Sequence, residues 1–287
     1  MITNSRSDNV NTRNLVVDIL LAVTRDGAFS HIAIRDVLDK YRYLPKQDRA
    51  FITRLSQGTI ERMIELDAII NQFSKTKVKK MKPVIAAILR SGVYQLKYMD
   101  SVPDSAACNE AVKLTVKRGF GGLKGFVNGV MRTIARNMDQ IRYPDAEKEP
   151  VRYLSVKYSI PEWLVQRFTE QYGAEACERS LAAYLMPHPT SVQVDTDRSS
   201  VEEIIASLEQ QGITVRRNEQ VERALFLSGY EALDEIEEFE NGLLYVQDTA
   251  SMLAVELAAP KQGDHVIDVC AAPGGKSIHL AEMLDGT

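Results

Sequence analysis

The chain has 287 residues, a formal net charge of −4 and 45% hydrophobic residues, a length that predicts about two domains. No apolar run is long enough to span a bilayer, and the polar start from Met1 to Thr12 lacks the apolar core of an export signal, so we expect no membrane association. Cys108, Cys177 and Cys270 are isolated, which argues against a disulfide framework and predicts a cytoplasmic protein. The four histidines also stand apart, so no metal site is expected.

The charge is distributed unevenly along the chain. Residues 1–143 hold 24 Lys and Arg against 13 Asp and Glu, a net charge of +11, whereas residues 144–287 hold 11 against 26, a net charge of −15. A basic half is typical of a protein that binds a polyanion, because each phosphate contact releases counterions. Lysines that only keep exposed helices soluble are the alternative, and for the half as a whole RNA binding is favoured.

The basic half, residues 1–143, shows apolar residues at helical spacing. The spacing predicts helices around 15–23 and 34–38, one longer helix from 51 to 70 after Pro45, and further helices at 83–96, 104–117 and 123–137. These elements predict an all-helical bundle of ordinary domain size.

Two groups of basic residues in this bundle are candidate RNA contacts. Five lysines occur within eight residues between two predicted helices: Lys75, Lys77, Lys79, Lys80 and Lys82. Arg132 and Arg136 lie one turn apart and therefore on one helix face. The lysine segment is equally consistent with a solvated loop, and both interpretations stay open.

A polar stretch between Pro144 and Pro150 predicts a domain boundary, followed by a linker and helical segment over residues 144–189. Helical spacing returns at 161–172 and 175–185. Residues 190–247 predict a small α+β module with strands at 191–194, 213–215, 224–227 and 242–246 and a helix at 201–211. The module is acidic and lacks the aromatic pair of an RNA-reading sheet, so we do not interpret it as an independent RNA reader.

Residues 248–287 contain a strand pattern, a glycine loop and a helix start, the first unit of a nucleotide-type α/β domain. The pattern predicts a buried strand at 265–270. Spacing excludes a Walker loop, since Cys270 stands where a glycine is required, and no Gly-x-Gly-x-x-Gly occurs. Pro273 restricts one φ angle and two glycines are free to take positive φ, so backbone N–H groups can face a small anionic ligand. An ordinary turn is the alternative.

The loop and several upstream segments resemble one enzyme family. Residues 268–277 (DVCAAPGGKS) resemble the S-adenosylmethionine motif of the RNA cytosine-carbon-5 methyltransferases, and residues 246–251 and 160–164 resemble segments that precede it. Residues 102–112 and 125–132 resemble the NusB-like helical domain of one branch, the RsmB type, which modifies small-subunit ribosomal RNA. Several motifs in the right order are more specific than one loop.

The resemblance implies a multi-domain α and α/β protein whose partner is 16S ribosomal RNA and whose cofactor is S-adenosylmethionine. The residues that would line the methionine end of the cofactor are Cys270, Ala271, Ala272, Pro273, Gly274, Gly275 and Lys276. Lys276 would supply positive charge. Asp268 either orients the loop or only caps the strand end. The α+β module would be a spacer packed beside the methyltransferase domain.

The resemblance also implies a catalytic group that this sequence lacks. Carbon 5 of cytosine is a poor nucleophile, so methylation there needs a thiolate to add at carbon 6. The family takes that thiolate from a Pro-Cys motif well downstream of the glycine loop, and none follows Lys276 here. We therefore expect an amino-terminal part of such an enzyme, monomeric and inactive alone, in which Cys108 and Cys177 are core residues. The alternative is a non-catalytic RNA-binding module.

Overall fold

The computed structural model describes residues 10–186, 189–230 and 233–284. The polar start of the chain, residues 1–9, and the end of the predicted linker, residues 187–188, lie outside the described residues. The chain divides into two compact units, unit 1 at residues 1–186 and unit 2 at residues 187–287. Within the described ranges, no helix is both long and apolar enough to cross a membrane.

The regular elements in the described part of unit 1 are all helices. Its helices are α1 Thr12–Thr24, α2 Ser30–Lys40, α3 Lys46–Glu61, α4 Met63–Phe73, α5 Pro83–Tyr98, α6 Asp104–Lys117, α7 Lys124–Arg136, α8 Pro150–Tyr158, α9 Glu162–Tyr172 and α10 Ala174–Ala183. The first seven enclose one core in which Val16, Leu55, Ile88 and Met131 are fully buried. The predicted helical bundle is therefore confirmed. The last three helices have a small core of their own around Val165 and Leu181.

The prediction of one long helix after Pro45 is wrong, because the chain breaks between α3 and α4 at Arg62. The N–H of Arg62 closes α3 on the carbonyl of Gly58 at 3.0 Å. The hydroxyl of Ser159, which follows α8, accepts hydrogen bonds from the backbone of Ile64 at 2.9 Å and Glu65 at 3.3 Å. A distant residue thus caps the start of α4, and helical spacing along one segment does not reveal such a partner.

Close packing at Gly58 gives a test of the α3–α5 contact. A Cβ at this position would overlap Oη and Cζ of Tyr94 and lie 2.6 Å from its Cε2. Gly58→Ala is expected to destabilise unit 1 by about 1–3 kcal/mol in urea unfolding, although alanine is about 1 kcal/mol the better helix former. In a Tyr94→Ala background the same change should become stabilising. An equal cost in both backgrounds would contradict this explanation.

Unit 2 is built on a four-stranded antiparallel sheet with strand order β2-β3-β1-β4. The strands are β1 Thr190–Val194, β2 Thr214–Arg217, β3 Ala224–Ser228 and β4 Leu244–Val246, and the helices are α11 Val201–Gln210, α12 Glu237–Glu240, α13 Thr249–Ala258 and α14 Gly275–Met283. The α+β module predicted from the alternation is confirmed.

The two faces of the sheet differ in chemistry. Val192 and Val194 of β1 are fully buried and belong to one core with Ile204 and Leu208 of α11. Gln193 lies between these valines and points to the opposite face, because successive side chains of a strand alternate. Its Nε2 is 3.3 Å from a carboxylate oxygen of Glu282 on α14. The apolar face therefore packs on α11, and the polar face carries α14.

The predicted buried strand at residues 265–270 is wrong. These residues form no strand, and Val266, Ile267 and Val269 are 43%, 87% and 90% exposed. A strand is stabilised by hydrogen bonds to a neighbour and by burial of its faces. None of the described strands pairs with this segment, so its apolar side chains remain in solvent although their sequence is typical of a buried strand.

Candidate functional site

The glycine loop between residue 268 and α14 is held together by Asp268. One carboxylate oxygen accepts the N–H of Cys270 at 2.8 Å, and the other accepts the hydroxyl of Ser277 at 2.7 Å. The pKa of Asp268 lies below its usual range. The hydrogen bond from Ser277 contributes most to this lowering, followed by the hydrogen bond from Cys270 and the nearby charge of Lys276. The carboxylate thus joins the start of the loop to the first turn of α14, which favours the orienting role over a simple strand-end cap.

The loop ends at two glycines, of which Gly274 caps the start of α14 and Gly275 is the first residue of that helix. Gly274 has φ +124°, a conformation that L side chains rarely adopt, and its carbonyl accepts the N–H of Ile278 at 2.8 Å. The first N–H groups of a helix have no partner within the helix and carry the positive end of its dipole. The exposed loop therefore leads into a helix start that suits an anionic group such as a carboxylate.

Gln247, which follows β4, is a further residue of this site. Its side chain is 6% exposed, and neither Oε1 nor Nε2 has a hydrogen-bond partner among the described residues. A Cβ on Gly275 would lie 3.4 Å from Cδ of Gln247, so the buried amide lies directly against the first residue of α14. A buried amide without partners is costly. Its Oε1 can accept a hydrogen bond from an ammonium group, and its Nε2 can donate one to a carboxylate. The amide therefore suits the two charged groups of an amino acid.

Polar contacts from the sheet hold α14 in place. The Glu282 carboxylate is 11% exposed, lies 2.7 Å from Nη1 of Arg223 and accepts the Tyr245 hydroxyl at 2.8 Å. On the same helix His279 is fully buried, with Nε2 3.3 Å from Oε1 of Glu256 on α13. Burial raises the pKa of Glu282. Contacts of His279 and Glu282, one and two turns after the start of α14, thus hold this helix in place.

Acidification tests the burial of His279. The pKa of its imidazole is lowered, mainly by burial and also by the positive charge of Arg223. The carboxylate of Glu256 has the opposite effect and raises this pKa. An unfolded histidine takes up a proton near pH 6.5, but the folded one resists, so stability present above about pH 6.5 is lost as the pH falls. The raised pKa of Glu282 acts in the opposite direction, because it lets the folded state take up a proton more readily.

We therefore expect the thermal midpoint of unit 2 to fall between about pH 7.5 and 5.5, and this fall to be smaller in a His279→Gln variant. Each kcal/mol corresponds to about 4–8 °C in a domain of 60–100 residues. His265→Gln, at an exposed position, is the matched control. The same pH dependence in wild type and His279→Gln would refute the role of this imidazole.

The predicted site residues lie in separate parts of the molecule. Residues 270–276 form the loop of unit 2. The lysine segment lies in unit 1 between α4 and α5, contains the short 3-10 helix Val78–Lys80, and exposes all five lysines. Arg132 and Arg136 are exposed on α7, with Nε of Arg132 donating to the Asn128 side chain at 3.0 Å. Sequence reasoning assigned no role to Gln247, Arg223 or Glu282, because a buried polar contact has no periodic pattern.

Comparison with known families agrees with this domain order. The NusB family model matches residues 10–136, and the model for the ferredoxin-like domain of RsmF/B-like methyltransferases matches residues 160–233. The chain therefore joins a NusB-family domain to a ferredoxin-like domain of the RsmF/B methyltransferase type.

Two relatives are similar to nearly the whole chain. The chain is 35% identical over 273 residues to the probable ribosomal RNA small subunit methyltransferase B of Bacillus subtilis, covering 95% of this chain and 60% of the relative. It is 33% identical to the protein of the same name from Synechocystis, covering 96% of this chain and 61% of that one. The chain is similar to these proteins over nearly all of its own residues and spans about three fifths of their length.

A solved structure shares the fold. The crystal structure of PH0851 superposes with a TM-score of 0.69 at 25% identity, covering 96% of this chain and 61% of that chain. The similarity therefore extends over both units.

Proposed function

We propose that this chain is part of an enzyme that transfers a methyl group from S-adenosylmethionine to carbon 5 of a cytosine in 16S ribosomal RNA. The observation that carries the proposal is the loop at residues 268–277, where a positive-φ glycine opens α14 beside the unpartnered Gln247 amide. The names of the relatives support ribosomal RNA as the substrate, and the resemblance of the loop supports the cofactor and the cytosine.

Within this proposal the loop binds the methionine end of the cofactor, which supplies an electrophilic methyl group when bound. Residues 270–276 would hold that end, and backbone N–H groups at the start of α14 would donate to its carboxylate. The Lys276 ammonium would add positive charge, and the Gln247 amide would hydrogen-bond to the amino-acid group. Asp268 holds the loop in shape through Cys270 and Ser277.

The NusB-family domain docks the RNA in this proposal. Its candidate contacts are Lys75, Lys77, Lys79, Lys80, Lys82, Arg132 and Arg136, which are all exposed. Residues 1–143 carry a net charge of +11, which favours association with a polyanion. We place the reaction in the cytoplasm, with the protein acting as a monomer on ribosomal RNA.

Mapping 5-methylcytosine in 16S ribosomal RNA tests the proposal. Bisulfite sequencing of RNA from cells without the gene for the enzyme to which this chain belongs should show one methylated cytosine lost, and the complete wild-type gene should restore it, whereas this chain alone should not. A Gly274→Val gene should fail, because valine at φ +124° distorts the loop. Gly263→Val is the matched control, since Gly263 also has positive φ, +92°, but lies outside the loop. An unchanged methylation map after deletion would refute the proposal.

A non-catalytic RNA-binding module is the second candidate, and the charge of residues 1–143 favours it equally. It predicts salt-dependent RNA binding by the chain without cofactor. It also predicts that deletion of the gene leaves every 5-methylcytosine of 16S ribosomal RNA in place. The methylation map therefore separates the two candidates.

A further inference from the structure

Unit 1 contains a cleft between α4, the lysine segment and the chain from residue 142 to α8. Its volume is about 800 Å³, and Ile64, Ala68 and Val156 form an apolar part of its lining, the apolar floor. Tyr143 and Pro144 also line the cleft. An apolar floor beside an aromatic ring is the surface on which a nucleic-acid base stacks.

Cations line the cleft from two distant parts of the sequence. Lys77 and Lys79 come from the lysine segment, and Arg142 and Arg152 come from the chain that follows α7. The carboxylates that line it, Asp67 and Glu149, are already paired. Asp67 accepts two hydrogen bonds of 2.7 Å from Arg90, and Glu149 lies 2.8 Å from Nη1 of Arg152.

The charges that remain are therefore positive. The side chains of Lys79 and Arg142 are exposed and have no hydrogen-bond or ion-pair partner within the described ranges. Lys77 donates to a backbone carbonyl, that of Asn71, at 2.9 Å, and so keeps its full charge. A cleft with free cations suits a ligand with several negative charges, such as a phosphodiester backbone.

Two consecutive residues of α4 hold the two sides of the cleft in place. The Asn71 side chain accepts the N–H of Val78 at 2.8 Å, which fixes the lysine segment. The Gln72 amide donates to the carbonyl of Arg142 at 2.8 Å and accepts its N–H at 3.0 Å, as a neighbouring strand would. The cations are thus carried by backbone that is already ordered, which lowers the entropic cost of binding.

We propose that this cleft binds a single-stranded segment of RNA, with a base on the apolar floor and phosphates at Lys79 and Arg142. An acidic segment of a partner protein would use the cations but not the aromatic ring and apolar floor, so RNA is favoured. The inference rests on the proposed RNA substrate and is independent of methyl transfer. If the cleft binds RNA while methylation is unaffected by deletion of the gene, the cleft stands and the proposed enzyme function fails.

The test is fluorescence anisotropy of the full chain with a labelled single-stranded oligoribonucleotide of about 12 nucleotides, over a series of KCl concentrations. The double variant Lys79→Gln/Arg142→Gln should weaken binding about tenfold at low salt. It should also lower the slope of log affinity against log salt by about 1.4, because each lost phosphate contact removes about 0.7 for a single strand.

The control is Arg49→Gln/Lys117→Gln, which removes the same charge from exposed positions outside the cleft. It should change the slope by less than half as much. A third variant, Gln72→Leu, removes no charge but releases the backbone of Arg142, and it should weaken binding about threefold. Equal slopes for the cleft and control variants, or displacement of the RNA by polyglutamate as readily as by unlabelled RNA, would overturn the proposal.

Discussion

Replacing Glu65 with alanine is expected to cost unit 1 about 3–5 kcal/mol of unfolding free energy. The Glu65 carboxylate is 2% exposed and lies 2.6 Å from Nζ of Lys97. It also accepts hydrogen bonds from the hydroxyls of Tyr98 and Tyr143, and Arg62 lies 3.7 Å away. Removal leaves a half-buried ammonium and two hydroxyls without their acceptor.

This network joins the α4–α5 pair to the segment after α7. Burial, and then the hydrogen bond to the Glu65 carboxylate, raise the pKa of Tyr98 and of Tyr143, so both hydroxyls remain donors at neutral pH. Tyr143 also lines the RNA cleft. Loss of Glu65 should therefore loosen the wall of the cleft as well as the bundle.

Urea unfolding followed by circular dichroism measures the cost. Glu61→Ala is the control, since Glu61 is an exposed residue of α3 whose carboxylate contacts the Gln57 side chain. The control should change stability by less than about 0.5 kcal/mol. Tyr143→Phe, which removes one donor, should cost about 1 kcal/mol. A Glu65→Ala variant as stable as the control would show that the network contributes nothing net.

Glu282→Ala is expected to cost unit 2 about 2–4 kcal/mol and to release α14, the helix that begins at the glycine loop. The change removes the acceptor of Arg223, Tyr245 and Gln193, which reach the carboxylate from the polar side of the sheet. Because Arg223 and Gln193 are largely buried, water replaces the lost partner poorly.

Amide hydrogen exchange over residues 275–283 measures this release directly. Exchange there should accelerate in Glu282→Ala, while exchange in α11, on the other face of the sheet, should change less. The control is Glu202→Ala, which breaks an exposed ion pair of 2.5 Å with Arg217 and should leave α14 protected. Unchanged protection of α14 in Glu282→Ala would contradict the anchoring role.

Local pattern predicted most of the helices and every strand of the antiparallel sheet. Helical spacing places α5, α6 and α7 close to their observed bounds, because each buries one apolar stripe in a common core. It missed α8, which starts at Pro150 within the stretch interpreted as a linker, the four-residue helix α12, and α13, which follows β4. All three are short helices whose formation depends on packing, since isolated helices of this length are marginal.

The glycine loop was predictable as a motif, but the residues around it were not. Its glycines and Asp268 stand within ten residues of one another, so their spacing is readable. Gln247 and Glu282 reach the site through the packing of β4 and α14, and Gln72 meets Arg142 across 70 residues of chain. These contacts exist only once the elements pack.

The sequence by itself predicted most of the helices, the strand alternation and the glycine loop as a motif, because each depends on neighbours within a few residues. Tertiary structure decided the break at Arg62, the burial of Gln247 and the assembly of the RNA cleft. It also decided that residues 265–270 remain exposed, although their composition is that of a buried strand. The physical reason is the same in each case: caps, buried side chains and strands depend on residues that lie far apart in the chain, and none of the described strands pairs with residues 265–270.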